Sequence, residues 1–327
     1  MTLNQELEKR EQLFQQYWTK YLPDQKPNVL YQAARHLPFG GGKRLRPFLC
    51  MIACESVGGN QTKTLPFAAA LELLHNFTLV HDDIMDNSDL RRNVPAVHIQ
   101  FSIPAAILAG DLLFTKSFEA MHDLDVECSL FKRLNSQLIQ CVIHICEGQQ
   151  LDVDFEQQKM ITHDQYLDMI KRKTGVLFEL SSMGGALIGN ANEQQLNALT
   201  QYGLCLGYSF QIWDDYLDIS SDKETLGKDI GNDIRNGKKT LIAVHALQNA
   251  TGEHKNILDS FFGNDDATDE NIQQVHNVLT QTGSIEYAKT KALEFSNKAK
   301  QLISILPESP AKQILFELAD YSIQREK

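Results

Sequence analysis

The stretch Leu71-Glu72-Leu73-Leu74-His75-Asn76-Phe77-Thr78-Leu79-Val80-His81-Asp82-Asp83-Ile84-Met85-Asp86 decides the fold. Its first ten residues form an apolar run that reads as a buried helix, and the helix ends in three carboxylates. Residues four apart share a helix face, so Asp82 and Asp86 point the same way, with Asp83 about a third of a turn aside. Burying such carboxylates unpaired costs roughly several kcal/mol each. A hard divalent cation removes that cost, because Mg²⁺ takes oxygen ligands, usually one or two carboxylates completed by substrate phosphates. A solvated acidic cap on a helix end accounts for a single motif of this kind equally well.

A second stretch separates the two readings. Gly207-Tyr208-Ser209-Phe210-Gln211-Ile212-Trp213-Asp214-Asp215-Tyr216-Leu217-Asp218 repeats the pattern, with Asp214 and Asp218 four apart and Asp215 between them. If the two helices face each other, their carboxylates form opposing walls around a metal cluster, an arrangement suited to a polyphosphate whose charge the metals neutralise.

Size and charge bound the alternatives. The chain has 327 residues, 43% of them hydrophobic, enough for a large core. Its formal net charge of −11, without a basic stripe or stacking module, disfavours nucleic-acid binding. No apolar run approaches the roughly 18 residues of a membrane helix, and Thr2 to Tyr21 is too charged for a signal peptide. The six cysteines show no CxxC pair and no zinc spacing, and read as small buried residues of a reducing cytoplasm.

Helical periodicity dominates, with strands few or absent. It predicts helices over 3–21, then to His36, from Lys43-Arg44-Leu45-Arg46-Pro47 to near Gly58, and through the first Asp motif, where Pro66 sits in the first turn. Further helices are predicted over 103–123, 129–157, 164–189 with a bend near Gly175, 193–219, 239–249, 254–263, 269–304 with a break at Gly283, and 308–324. Pro38 to Gly42 and residues 221–238 read as loops. No linker divides the chain, so 1–327 reads as a single all-α domain, a helical bundle around a central cavity.

Taken in order, GGKRLRP, LLHNFTLVHDDIMD, RRN, GQQLD, KTG, FQIWDDYLD and GKDIGNDIRNGKKT resemble the trans-isoprenyl diphosphate synthases, from about Gly40 to about Thr240. That family joins isopentenyl diphosphate to an allylic diphosphate and has the helical-bundle fold. The resemblance implies that Asp82, Asp86 and Asp214 are metal ligands, with Asp83, Asp215 and Asp218 as further or water-mediated partners of three Mg²⁺ ions, for which Mn²⁺ substitutes. It implies that Arg91, Lys173, Lys228 and Lys238 hold the allylic diphosphate, and that Lys43, Arg46, His75 and Arg92 hold isopentenyl diphosphate without metal. A lone His on an apolar face is more often a hydrogen-bonded core residue, so only the family position favours His75 as a ligand. The resemblance implies too that Thr174, the Lys173 carbonyl and Gln211 stabilise an allylic cation by fixed dipoles. Gln149 and Asp152, one turn apart, resemble the family's GQxxD helix, where they support the site; the alternative is a polar helix face. The family forms homodimers.

Where the family has Gly after the paired arginines, this chain has Asn93, which tolerates left-handed backbone better than most residues. Competing readings fit less well. A terpene cyclase replaces the second Asp motif with an Asn/Ser/Glu type, and a di-iron bundle needs a second partner for Glu72-Leu73-Leu74-His75. A non-catalytic subunit would have lost some of these ligands. Product length is expected to rest on Phe77, about 7.5 Å along the helix from Asp82, with small Thr78 beside it. The motif, similar to that of archaeal geranylgeranyl synthases, favours the twenty-carbon product, then the fifteen-carbon one, then a longer chain. The alternative for Phe77 is simple core packing.

Overall fold

The computed structural model describes residues 3–220 and 232–325, without the side chains of Asn4 and Asn232. The described residues are overwhelmingly helical. In chain order the helices are α1 (Leu3–Trp18), α2 (Asn28–Phe39), α3 (Leu45–Ser56), α4 (Leu65–Met85), α5 (Val97–Gln100), α6 (Ile103–His122) and α7 (Cys128–Glu156). They continue with α8 (His163–Ile170), α9 (Val176–Ile188), α10 (Glu193–Ser220), α11 (Asn232–Arg235), α12 (Leu241–Asn249), α13 (Gly252–Phe261), α14 (Asp269–Gln281), α15 (Ser284–Leu302) and α16 (Pro310–Gln324). None is long and apolar enough to cross a membrane.

The chain packs as two compact units. The first comprises Met1–Gln137, Leu180–Thr200 and Ile305–Leu315; the second comprises Leu138–Glu179, Gln201–Ser304 and Phe316–Lys327.

In the first unit, α4 is the central element. Its residues from Leu65 to Leu74 are all buried, which explains why it is apolar on every face rather than amphipathic. Pro66 lies in its first turn, where a missing N–H costs nothing. Ser102 caps α6, its hydroxyl accepting from the Ala105 N–H at 3.3 Å, and α6 packs along α4, with His81 seated against Gly110.

Three places differ from the sequence reading. Residues 221–238 read as a loop, but Asn232–Arg235 form the short helix α11, and 221–231 lie outside the described residues. Helix α2 runs through Pro38 to Phe39, so the loop begins at Gly40. A proline in the last turn forfeits one N–H, and the Pro38 carbonyl is taken by the Arg44 guanidinium. The loop after the first Asp motif contains a hairpin, β1 (Leu90–Arg91) against β2 (Val94–Pro95). Its two-residue turn, Arg92-Asn93, has positive φ at both positions (54° and 64°), as tight hairpins require, so Asn93 occupies a left-handed site as expected.

In the second unit, Tyr166, Ile170, Ile212, Leu241, Val275 and Ala292 lie in one core. The expected bend near Gly175 is a π turn, Lys171–Gly175, which joins α8 to α9. Such turns carry one residue more than an α turn and recur at functional sites. This one presents Lys173 and Thr174. Its backbone lies against Gly148 of α7 so closely that a Cβ at 148 would collide with the Lys173 nitrogen.

The Gly148→Ala variant is therefore expected to melt at a lower temperature and to lose turnover, since α7 and the π turn must separate. Wild-type melting and turnover would show that the close approach is dispensable.

Candidate active site

The first unit gathers positive charge beside the first Asp motif. Arg44 and Arg46 begin α3, and Arg91 and Arg92 lie in the hairpin. Arg44 is spent on structure. Left-handed at φ 48°, it forms a buried ion pair with Glu72 at 2.6 Å, and Asn76 donates to the same carboxylate oxygen at 2.8 Å. Removing one partner of a buried pair costs about 3–5 kcal/mol, so this contact fixes the loop bearing Gly41, Gly42 and Lys43. Arg92 reaches back to the Gly41 carbonyl, and Gly42, at φ +130°, leaves room for its guanidinium.

The cluster is crowded with like charge. Desolvation pulls the Arg92 guanidinium below its ordinary value, and repulsion from Arg44 and Arg91 adds to this although Glu72 opposes it. Arg46 Nη1 lies 3.0 Å from His75 Nε2. Desolvation, then the charges of Arg46, Arg92, Arg44 and Arg91, hold the His75 imidazole well below its usual 6.5. His75 is therefore neutral, with Nε2 accepting from Arg46. A phosphate would relieve this excess of positive charge. Lys43, exposed on the adjoining loop, completes the set expected for isopentenyl diphosphate.

Arg91 binds the motif itself. Its Nε donates to Asp83 Oδ1 at 2.8 Å. Desolvation would lower the Arg91 guanidinium, but Asp83, with Asp82 and Asp86 behind it, holds it above its ordinary value. Asp83 is fully buried and faces Arg91, whereas Asp82 is half-buried and Asp86 exposed. Phe77 lies edge-on to His81 at 4.9 Å and 5.2 Å from Phe114 of α6, which in turn meets Phe118 at 5.2 Å. Thr78 donates its hydroxyl to the His75 carbonyl at 2.8 Å.

The second unit holds the second motif. Lys173 pairs with Asp152 at 2.5 Å. Thr174 donates to Gln211 Oε1 at 2.9 Å, Gln211 Nε2 donates to Asp215 Oδ1 at 3.0 Å, and the Tyr166 hydroxyl donates to Asp215 Oδ2 at 2.9 Å. Burial pushes the Asp215 carboxyl up to about 7, against the pull of Lys238, Tyr166 and Gln211. Asp233 foremost, with Asp215, Asp152 and Asp218, holds the Lys238 ammonium above its usual value. Asp214 and Asp218 are half-buried, and Arg325 lies 2.8 Å from Asp214. Gln149 is buried, and neither amide atom has a hydrogen-bond partner. Lys228 lies outside the described residues.

Sequence reading missed Arg44, Glu72, Tyr166, Asp233 and Arg325 as parts of these clusters. Arg44 and Asp233 carried a local signal, inside GGKRLRP and GKDIGNDIRNGKKT.

The neutral His75 sets a pH dependence. In the unfolded chain a histidine titrates near 6.5, so below that pH the unfolded state takes up a proton that the folded site refuses. Stability present above 6.5 is lost as pH falls. Melting temperature is expected to drop on acidification through this range, and His75→Gln to flatten that part of the curve. An unchanged slope would mean that His75 takes up its proton in the fold as readily as in the unfolded chain.

Residues 27–279 match the polyprenyl synthetase family. The chain is 40% identical over 326 residues to the geranylgeranyl diphosphate synthase of Methanosarcina mazei, covering 100% of this chain and 99% of that protein. It is 42% identical over 303 residues to that of Saccharolobus solfataricus, covering 91% of each. The crystal structure of geranylgeranyl pyrophosphate synthetase from Pyrococcus horikoshii superposes with a TM-score of 0.94 at 40% identity, over 99% of this chain and 98% of that one. On family match and fold together, this chain belongs to the polyprenyl synthetase family.

Proposed function

We propose that the protein is a Mg²⁺-dependent trans-prenyltransferase that condenses isopentenyl diphosphate with an allylic diphosphate, ending at geranylgeranyl diphosphate. The observation that carries the reading is the repeated Asp motif, each copy beside its own cations: Arg91 on the first, Lys173 and Lys238 near the second. The names of its relatives support the product class.

The donor set fits a hard divalent ion. Asp82, Asp86, Asp214 and Asp218 are oxygen donors with some exposure, and Asp83 Oδ2 is buried without a hydrogen-bond partner. Among the described residues no three acidic, His or Cys side chains converge on one point, so diphosphate oxygens would complete each shell, as is common for Mg²⁺. When bound, the ions supply charge neutralisation to the departing pyrophosphate.

The chain's own residues do the rest. Arg91, Lys173 and Lys238, with Lys228, hold the allylic diphosphate as its carbon–oxygen bond breaks. Lys43, Arg46, His75 and Arg92 hold isopentenyl diphosphate so that its double bond meets the allylic carbon. The Thr174 proton is engaged by Gln211, so the hydroxyl oxygen is left to present its lone pairs to the cation. The Lys173 carbonyl acts alongside. Asp152 keeps Lys173 extended, Gln149 lies one turn from it, and the proton lost in the last step goes to pyrophosphate.

In this reading 1–327 works as one domain, since α7, α9, α10 and α16 each have residues in both units. It also works as a homodimer, for which the exposed Ile103, Ile107 and Leu108 of α6 offer an apolar face. A reducing cytoplasm suits the six free thiols, of which Cys128 and Cys146 are exposed rather than buried as the sequence reading had them.

Asp82→Ala and Asp214→Ala are expected to lose orders of magnitude in turnover with the fold intact, because each removes like charge from a repulsive cluster. Near-normal turnover in either would contradict two metal-binding motifs. Arg46→Ala and Arg92→Ala should raise KM for isopentenyl diphosphate more than for the allylic partner, by roughly 10- to 150-fold per charged contact. Equal effects on both substrates would mean that the pockets are exchanged.

Product length rests on Phe77 and, behind it, Phe114. Phe77→Ala should yield longer products from an active enzyme, and Phe77→Ala with Phe114→Ala longer ones still. If Phe77 is core only, the single variant loses about 3–5 kcal/mol of stability and keeps its product. Chromatography of the dephosphorylated products separates the two outcomes.

A further inference from the structure

Arg325, the residue after α16, is tied to one face of α10 by four contacts. Its Nη2 lies 2.8 Å from Asp214 Oδ1 and donates to the Phe210 carbonyl at 2.6 Å. Its guanidinium carbon stands 3.4 Å from the centre of the Phe210 ring, and its own carbonyl accepts from Trp213 Nε1 at 3.2 Å. The Arg325 side chain is only 5% exposed, whereas that of Asp214 is 41% exposed. Ser322, a turn earlier, meets Ser209 at 2.8 Å and fixes the end of α16 on the same helix.

We infer that Arg325 is a positioning residue for Asp214: it grips one carboxylate oxygen and holds the group ready for an incoming divalent ion. The inference rests on the reading of Asp214 as a metal ligand. Of the four contacts, the Phe210 carbonyl and ring hold the guanidinium and Trp213 holds the Arg325 backbone, so the group is placed whatever the Asp214 side chain does. Ligating carboxylates are themselves commonly hydrogen-bonded, and losing such a partner typically weakens metal affinity 10- to 100-fold. A guanidinium also repels a metal ion. The Phe210 carbonyl and ring and the Asp214 carboxylate all take up its charge, and orientation is then the larger effect. The two effects have opposite signs, so affinity separates them.

Mn²⁺ binding in the presence of inorganic pyrophosphate, followed by the electron paramagnetic resonance of free Mn²⁺, is the test. Arg325→Met should weaken binding 10- to 100-fold, and Arg325→Lys should restore part of it. Trp213→Phe, which frees the Arg325 carbonyl, should weaken binding less. If Arg325→Met does not fold, as thermal melting would show, the Lys and Trp213→Phe variants carry the test alone. Unchanged or tighter Mn²⁺ binding in the folded variants overturns the positioning role and leaves the metal reading standing. Failure of the wild-type protein to bind Mn²⁺ overturns both.

Discussion

Carboxylates crowded onto one helical turn keep their charge only when cations lie against them, and both Asp motifs are built around that constraint. On α4 the answer is Arg91, which the three aspartates together hold in its charged form. On α10 it is distributed: Lys238, which also answers Asp233 of α11, answers Asp215, and Arg325 answers Asp214; Lys173 is held by Asp152 of α7. The converse problem appears around His75: Arg44 and Arg91 are paired with Glu72 and Asp83, but desolvation and the added charge of Arg46 and Arg92 hold the imidazole well below its usual value. An anion with several oxygens is what such a cluster lacks, and a diphosphate has that chemistry.

Holding these charges in place demands unusual backbone. Arg44 and Arg92 are both left-handed, a conformation that costs a non-glycine residue about 1–2 kcal/mol. Each is over-determined by its surroundings, Arg44 by Glu72 and the Pro38 carbonyl, Arg92 by the Gly41 carbonyl and the hairpin turn it shares with Asn93. The π turn that presents Lys173 and Thr174 is held in the same sense, by the close approach of Gly148 and the Thr174–Gln211 hydrogen bond.

What the sequence made legible was local. Aspartates four apart on an apolar helix declare their shared face, and Gly175 and Gly283 mark where helical periodicity changes, so element order could be read directly. Pro38 misled, because a proline in a last turn looks the same in sequence as one that ends a helix. The partners that were missed are distant in the chain: Arg44 and Glu72 are 28 residues apart, Tyr166 and Asp215 are 49, and Trp213 and Arg325 are 112. No periodicity links such residues, and only the packed fold brings them together. Phe114 escaped for the same reason, being unremarkable on α6 until it is seen against Phe77.

The proposed function is a metal-dependent condensation of two diphosphates. Its most direct test is pyrophosphate release by the purified protein supplied with isopentenyl diphosphate, farnesyl diphosphate and Mg²⁺, repeated with a chelator. The account predicts release matched by a twenty-carbon product and abolished when the metal is withdrawn. Absence of release, or release that persists in full with the metal chelated, would contradict it.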